Sequence, residues 1–250
     1  FGYIDKNGDL VIDYKFDFAY DFYDGTAKAR IGSRKTGKYF LIDKNGDKTS
    51  KVYDQISSFS NNLAVVKNNN KYSIINYNGK EIAQWYDEIF NFNEKYAKVK
   101  LNNKFSFINT HGLQFNAWFD DAGYFDQNRA KVKLNNKWGF IDKKGDIIAE
   151  IEYDYVWNYK NNIAKVLKDE KFAFIDLAGN VITLWFDRLY MFNDDRAVIC
   201  SEKKWGYINL NGEIIIPTIY DRTFAFENGK AIVIKDGVMI RIDKNGNLIE

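Results

Sequence analysis

The stretch Trp138-Gly139-Phe140-Ile141-Asp142-Lys143-Lys144-Gly145 decides how this chain must be read, because its pattern returns along the whole sequence. In general form it is aromatic–small–apolar–apolar–Asp/Asn–x–x–Gly. It closes on Gly8, Gly46, Gly79, Gly112, Gly145, Gly179, Gly212 and Gly246, and after the first gap the interval is 33 or 34 residues. A fixed period of that size marks stacked copies of one small unit that cannot bury its apolar side alone.

Aligned on the aromatic–small pair, the copies start near Phe1, Tyr39, Tyr72, Phe105, Trp138, Phe172, Trp205 and Met239. An aromatic–Asp pair follows in the first seven, as at Tyr53-Asp54, Tyr86-Asp87, Tyr153-Asp154 and Tyr220-Asp221. A further ring comes next (Phe22, Phe59, Phe92, Phe125, Tyr159, Phe192, Phe226), and then an alanine (Ala27, Ala64, Ala97, Ala130, Ala164, Ala197, Ala231). The first copy alone carries extra length, at Gly32-Ser33-Arg34-Lys35-Thr36-Gly37, which reads as a longer turn.

The alanine opens one strand and the aromatic–small pair lies on the next. Asn135-Asn136 between them suits a two-residue hairpin turn, since Asn tolerates the positive φ such turns need. The same spacing recurs at Asn69-Asn70, Asn102-Asn103, Asp169-Glu170, Glu202-Lys203 and Asp236-Gly237. This register sets Ala130 opposite Ile141, Val132 opposite Gly139, Lys133 opposite Trp138 and Lys131 opposite Phe140. One face is then small and aliphatic, the other aromatic beside lysine stems. The Asp/Asn–x–x–Gly turn leads to a third strand, such as 145–149 or 212–216. Each unit is therefore expected to be a three-stranded antiparallel meander plus an irregular return, whose rings at Tyr153 and Tyr159 flank Val156 at a spacing that suits a single helical turn. The expected fold is all-β: one continuous repeat array over residues 1–250, stacked as an elongated or superhelical β-solenoid, with a β-propeller as the alternative. Thirty-three residues are few for a propeller blade, which argues for the open form.

These residues resemble the WG repeat, also called the KWG repeat, a bacterial β-repeat family. The likeness is closest at 137–142 and from Lys204-Trp205-Gly206 through Pro217 to Tyr220-Asp221. Only two copies keep Trp-Gly together, and the proline after the third strand survives only at Pro217, while Trp85, Trp118 or Trp185 occupies that region elsewhere. The resemblance implies a non-catalytic β-repeat array of surface, secreted and other modular bacterial proteins. It implies no defined ligand. A weaker likeness to choline-binding cell-wall repeats covers the hairpin alone.

Bulk composition narrows the function classes. Lys and Arg number 36 against 34 Asp and Glu, so the balance is near neutral and carries no electrostatic footprint of a nucleic-acid binder. No apolar run is long enough to span a bilayer as a helix, so no membrane insertion is expected. A single cysteine, Cys200, excludes an internal disulfide framework. The chain begins at Phe1 inside a repeat and without Met, and it is read as a fragment of a larger bacterial protein, with a secreted or cell-surface location favoured.

Candidate sites weigh lightly. The Asp5–Asp9 and Asp43–Asp47 stretches look like the start of a calcium loop but lack its further oxygen ligands, so turn chemistry explains them and no metal or cofactor is expected. His111 is the sole histidine and sits in a turn, and Cys200, opposite Trp205, has no base near it in sequence. No copy is expected to break the pattern by gathering Asp, Glu, His or Ser, and no enzyme is expected. The ring column Tyr72, Phe105, Trp138, Phe172 and Trp205 reads as core between repeats in preference to an exposed sugar ladder. The function expected is a repeat scaffold for a protein partner. A carbohydrate or cell-wall polymer bound by stacked aromatic residues is the alternative, on the strength of 17% aromatic content. Small-angle scattering tests the expected stacking: a compact chain of this length has a radius of gyration of roughly 18 Å, an open array exceeds it clearly, and a value at the compact limit would exclude the solenoid.

Overall fold

The computed structural model describes residues 1–249, and every regular element among them is a β-strand or a turn. The strands form eight small antiparallel sheets. The chain divides into two compact units, Phe1–Phe119 and a second running from Asp120 to the C-terminal end. That division falls between two sheets, since Phe119 bridges Phe105 in one and Asp121–Ala122 opens the next.

The hairpin register follows the sequence expectation residue for residue. Ala130 pairs with Ile141, Lys131 with Phe140, Val132 with Gly139 and Lys133 with Trp138. Asn135 and Asn136 stand at φ 50° and 65°, and the corresponding turn at Asn69-Asn70 shows 48° and 60°. All eight motif glycines also have positive φ, between 73° at Gly79 and 93° at Gly8.

The return segment departs from expectation. It holds no helical turn; it contributes a short strand that pairs with the alanine strand, as Asp121–Ala122 pairs with Arg129–Leu134. A second two-residue positive-φ turn precedes each alanine strand, at Asn61-Asn62 and Asn161-Asn162 for example, closing the bridges Ser60↔Leu63 and Lys160↔Ile163. The sheet unit is thus a four-stranded meander in its full form: short strand, alanine strand, aromatic strand, outer strand. Tyr153, Val156 and Tyr159 are all buried in one core cluster, the first two on strands and Tyr159 on the segment that follows.

The cores lie between successive sheets. The two apolar residues after the small one are adjacent on a strand, so they point to opposite faces. Phe174 joins the cluster with Leu189, Ala197 and Ile199 of the following sheet, while its neighbour Ile175 joins Phe140, Ala164 and Val166 on the other side. Ile74 and Ile75 divide in the same way. Turn glycines make further close contacts: a Cβ on Gly79 would lie 2.7 and 2.8 Å from Cβ and Cα of Ser50, on the outer segment of the previous sheet.

The small residue controls the outer strand. Where it is glycine beside tryptophan, a seven-residue outer strand forms, at Ile147–Tyr153 and Ile214–Tyr220. This strand bulges over the glycine, and a Cβ on Gly139 would sit 2.6 Å from the Ala149 carbonyl oxygen and 2.7 Å from that of Glu150. Where it is Ser73 or Ser106, the hydroxyl instead donates to the facing carbonyl, of Ala83 or Ala117, at 2.8 Å. Those sheets keep only isolated outer bridges, such as Tyr72↔Tyr86 and Phe105↔Phe119.

The aspartate of the aromatic–Asp pair fastens each hairpin. Asp154 accepts from Lys137 Nζ at 2.6 Å with one oxygen and from the Asp169 amide at 2.8 Å with the other. Asp54, Asp87 and Asp187 repeat this arrangement with Lys38, Lys71 and Lys171. The lysine hydrogen bond, and then the turn amide, hold these four carboxyls below the usual carboxylate range; Lys204 does the same for Asp221.

Two outcomes follow from this packing. Gly139→Ala costs about 2 kcal/mol of unfolding free energy in urea melts, because the added methyl must displace backbone, whereas Gly229→Ala, with open space around it, costs only the roughly 1 kcal/mol of its positive φ. Equal losses at the two sites would refute the bulge as the reason for glycine. Because the aspartate pKa values are lower folded than unfolded, their stabilisation is complete above about pH 4 and is lost as pH falls through the folded values. Melting temperature therefore drops on acidification below about pH 4, and a flat acid limb would show that these carboxyls titrate normally.

Candidate functional site: clefts beside the second repeat

Position-by-position comparison of the copies exposes three departures within the first compact unit. Three residues after the repeat aspartate the chain carries Tyr20, Phe90, Trp157, Tyr190 and Phe224, but Ser57 in the second copy and Gly123 in the fourth. Six residues after it stands Tyr23, where the other copies have Ser60, Asn93, Asp126, Lys160, Asn193 and Glu227. The residue after the turn's Asp or Asn is Tyr77, where no other copy has a ring.

The fold brings all three together. Tyr23 and Thr26 bridge at the tip of the first return hairpin, and Ser60 and Leu63 at the tip of the second. Tyr77 stacks on both sides, against Tyr23 at 5.6 Å between ring centroids and 27°, and against Phe59 at 4.2 Å and 18°. Thr26 Oγ1 donates to the Tyr77 carbonyl at 3.1 Å. The cleft beside this column has a volume of about 600 Å³ and is lined by residues including Tyr20, Asp21, Lys28, Ser57, Asn61 and Asn62. Ser57 also borders two neighbouring clefts of about 370 and 320 Å³. The serine is small where most copies have a ring, and it leaves that volume open. Its hydroxyl is held locally, accepting the Val65 amide at 2.9 Å and donating to the Ser58 carbonyl at 3.0 Å.

Lys28 forms part of the wall. Its ammonium lies 4.1 Å from the Tyr20 ring centroid and 5.9 Å from that of Tyr39, and it donates to the Ile56 carbonyl at 3.0 Å. Burial lowers its pKa. Lys165 is placed alike between Trp157 and Phe172, reaching the Leu189 carbonyl at 3.4 Å, and burial lowers its pKa also. These lysines sit between rings of their own sheet through cation–π contacts and tie it to the next sheet through the carbonyl hydrogen bond.

The residues singled out from sequence have structural places. Trp138 and Trp205 are half-buried against the inter-sheet cores, with Tyr155 and Tyr190 rings at 6.1 and 6.2 Å. Phe172 packs likewise, so Trp138, Phe172 and Trp205 of the five-ring column lie against inter-sheet cores. The Asp43 Oδ1 atom accepts the amides of Asn45 and Asp47, both at 2.9 Å, so that oxygen serves its own turn. His111 sits in the equivalent turn, its amide bonded to Asn109 at 2.9 Å. Cys200 pairs with Trp205 as expected, and burial, with Asp187 nearby, pushes its thiol pKa up. Contrary to the expectation of an unbroken pattern, the second copy does gather small hydroxyls, at Ser57, Ser58 and Ser60. The signal was present in sequence as a missing ring; its consequence depends on which copies are adjacent.

The profile of the WG-containing repeat matches residues 1–38, 39–72, 72–105, 119–138, 138–172 and 205–238, most of the chain. The chain belongs to the WG-containing repeat family. No curated protein matches it as a relative. Among solved structures, a eukaryotic initiation factor is 13% identical over 100% of this chain and 81% of its own, with a TM-score of 0.39. Hsv2 of Kluyveromyces lactis is 12% identical over 73% and 70%, at 0.34, and the β-propeller domain of the Trilobed protease from Pyrococcus furiosus is 10% identical over 94% and 97%, at 0.31. All three superpose too loosely on this WG-repeat chain to define a common fold.

Proposed function

We propose that this WG-repeat chain is a non-catalytic interaction module that holds a protein partner along its outer strands. One observation carries the reading. Two residues beyond the motif glycine, four consecutive copies of the second compact unit present Ile147, Val181, Ile214 and Leu248, exposed by 52%, 43%, 43% and 72%. The corresponding residues of the first unit are Leu10, exposed by 47%, and then the polar Lys48, Glu81 and Gln114, so the aliphatic row is unbroken only in the second unit. Glu81 and Gln114 there bind Tyr53 and Tyr86 hydroxyls at 3.0 and 2.9 Å, so they serve the fold.

Aliphatic side chains recurring at one exposed position supply a repeated apolar contact, which suits a polypeptide partner with matching apolar residues. The half-buried ring column between sheets supports a saccharide ladder less well, because its faces are covered by neighbouring rings and lysines. A photo-crosslinker placed in turn at Val181 and Ile214 is expected to capture the same polypeptide. The combined Ile147→Lys, Val181→Lys, Ile214→Lys and Leu248→Lys variant should keep its melting temperature and lose that binding partner. Capture of unrelated proteins from the two positions, or retention by the lysine variant, would defeat the reading.

A further inference from the structure

We propose that the cleft between the first and second return hairpins is a binding site for a neutral oligosaccharide. The proposal is independent of the outer-strand surface and uses other residues, in the first compact unit. Its basis is convergence: Tyr23, Ser57 and Tyr77 each depart from the repeat, and all three line this one cleft. Repeat positions serving only the array have no reason to depart together at one place. Two added rings and one removed ring meet at this opening, although Ser57 also borders the two clefts beside it.

The chemistry of the wall selects the ligand. Tyr23 is 68% exposed and has Tyr77 against one face, so its other face is open to solvent. Tyr77 is in turn backed by Phe59, which fixes the plane of the column without any ordering on binding. A flat ring held in this way suits the C–H face of a pyranose. Asp21, Ser58, Asn61 and Asn62 add exposed donors and acceptors around the ring, matching hydroxyl groups that both donate and accept.

Charge on the wall is one carboxylate and one ammonium, Asp21 and Lys28. The ammonium is already engaged by the Ile56 carbonyl and the Tyr20 face, which leaves no surplus cation for a phosphate or uronate. A volume of about 600 Å³ lies within the range of small-ligand sites, and the open mouth admits a chain longer than one ring.

The test uses the full chain with three probes, maltotetraose, cellotetraose and tetra-N-acetylchitotetraose, read by titration calorimetry and saturation-transfer NMR. At least one probe is expected to bind. Tyr23→Ala should weaken it by about tenfold, and Ser57→Tyr, which restores the ring found at this position in most copies, should do the same by filling the cleft. Tyr14→Ala removes a tyrosine exposed by 74% outside the cleft and should leave binding unchanged. Thermal melts confirm that each variant is folded. Absence of binding by all three probes overturns the proposal, as does binding that survives both Tyr23→Ala and Ser57→Tyr or that falls equally in Tyr14→Ala.

Discussion

Each sheet of this protein is one residue layer thick and has two apolar faces, and only another sheet can cover either of them. The motif expresses that constraint in its two adjacent apolar residues. Phe140 and Ile141 point to opposite sides of one strand, and both are almost wholly buried. A solvated face would take a polar residue at one of those positions. Because Phe174 and Ile175 belong to different clusters, each copy is half of two cores and complete in neither. Burial of this kind, at about 25 cal/mol per Å² of apolar surface, is the main favourable contribution available to a chain without disulfides. It also makes stability a property of neighbours in the array.

The polar part of the motif meets a second demand, that backbone groups at tight turns find partners. The aspartate beside the buried ring does this across sequence distance. Asp154 lies fifteen residues before the Asp169 amide that it accepts, and its ring neighbour Tyr153 fills the core beneath. One dipeptide therefore sets the hairpin turn and the sheet spacing together. Lysines Lys28 and Lys165 work differently, bringing a cation between rings and ending on a carbonyl of the next sheet. Removing such an amine from water is unfavourable in itself, as its lowered pKa records, and the carbonyl and the two ring faces offset that cost.

Much of this was legible because it is repeated. The strand register around Asn135-Asn136 follows from counting between Ala130 and Trp138, and the motif glycines predict their own positive φ. The short strand at Asp121–Ala122 was not legible, since two residues show no alternation, and its turn at Gln127-Asn128 has no fixed composition among the copies. Asn61-Asn62, Glu94-Lys95 and Asp194-Asp195 fill the same turn with little in common beyond tolerance of the left-handed region. The spacing of Tyr153, Val156 and Tyr159 suggested a helical turn because apolar residues three apart can share a helix face. Here a two-residue strand at Tyr155–Val156 and a hairpin bring the same three residues to one core. The cleft was hidden for another reason: reading for a consensus suppresses Tyr23 and Ser57, the residues that differ.

A repeat fold leaves few positions free to acquire a function. The alanine, the two apolar residues and the ring before aspartate are committed to burial, as at Ala130, Phe140, Ile141 and Tyr153, and a turn glycine such as Gly179 to close backbone packing. Variation is tolerated at the hairpin tips, at the second turn residue and just beyond the motif glycine, because those side chains reach solvent. Tyr23 and Tyr77 occupy the first two kinds of position, and Ile147, Val181, Ile214 and Leu248 the third. The two surfaces have opposite logic. The aliphatic row gains its extent by repeating one choice in successive copies, and so suits an extended partner. The cleft is set apart from its counterparts in other copies by the added rings of Tyr23 and Tyr77, and so suits a small ligand that stacks there. One scaffold can support both because Tyr23 and the aliphatic row reach solvent, while Phe59 backs the cleft and packs against a core at once.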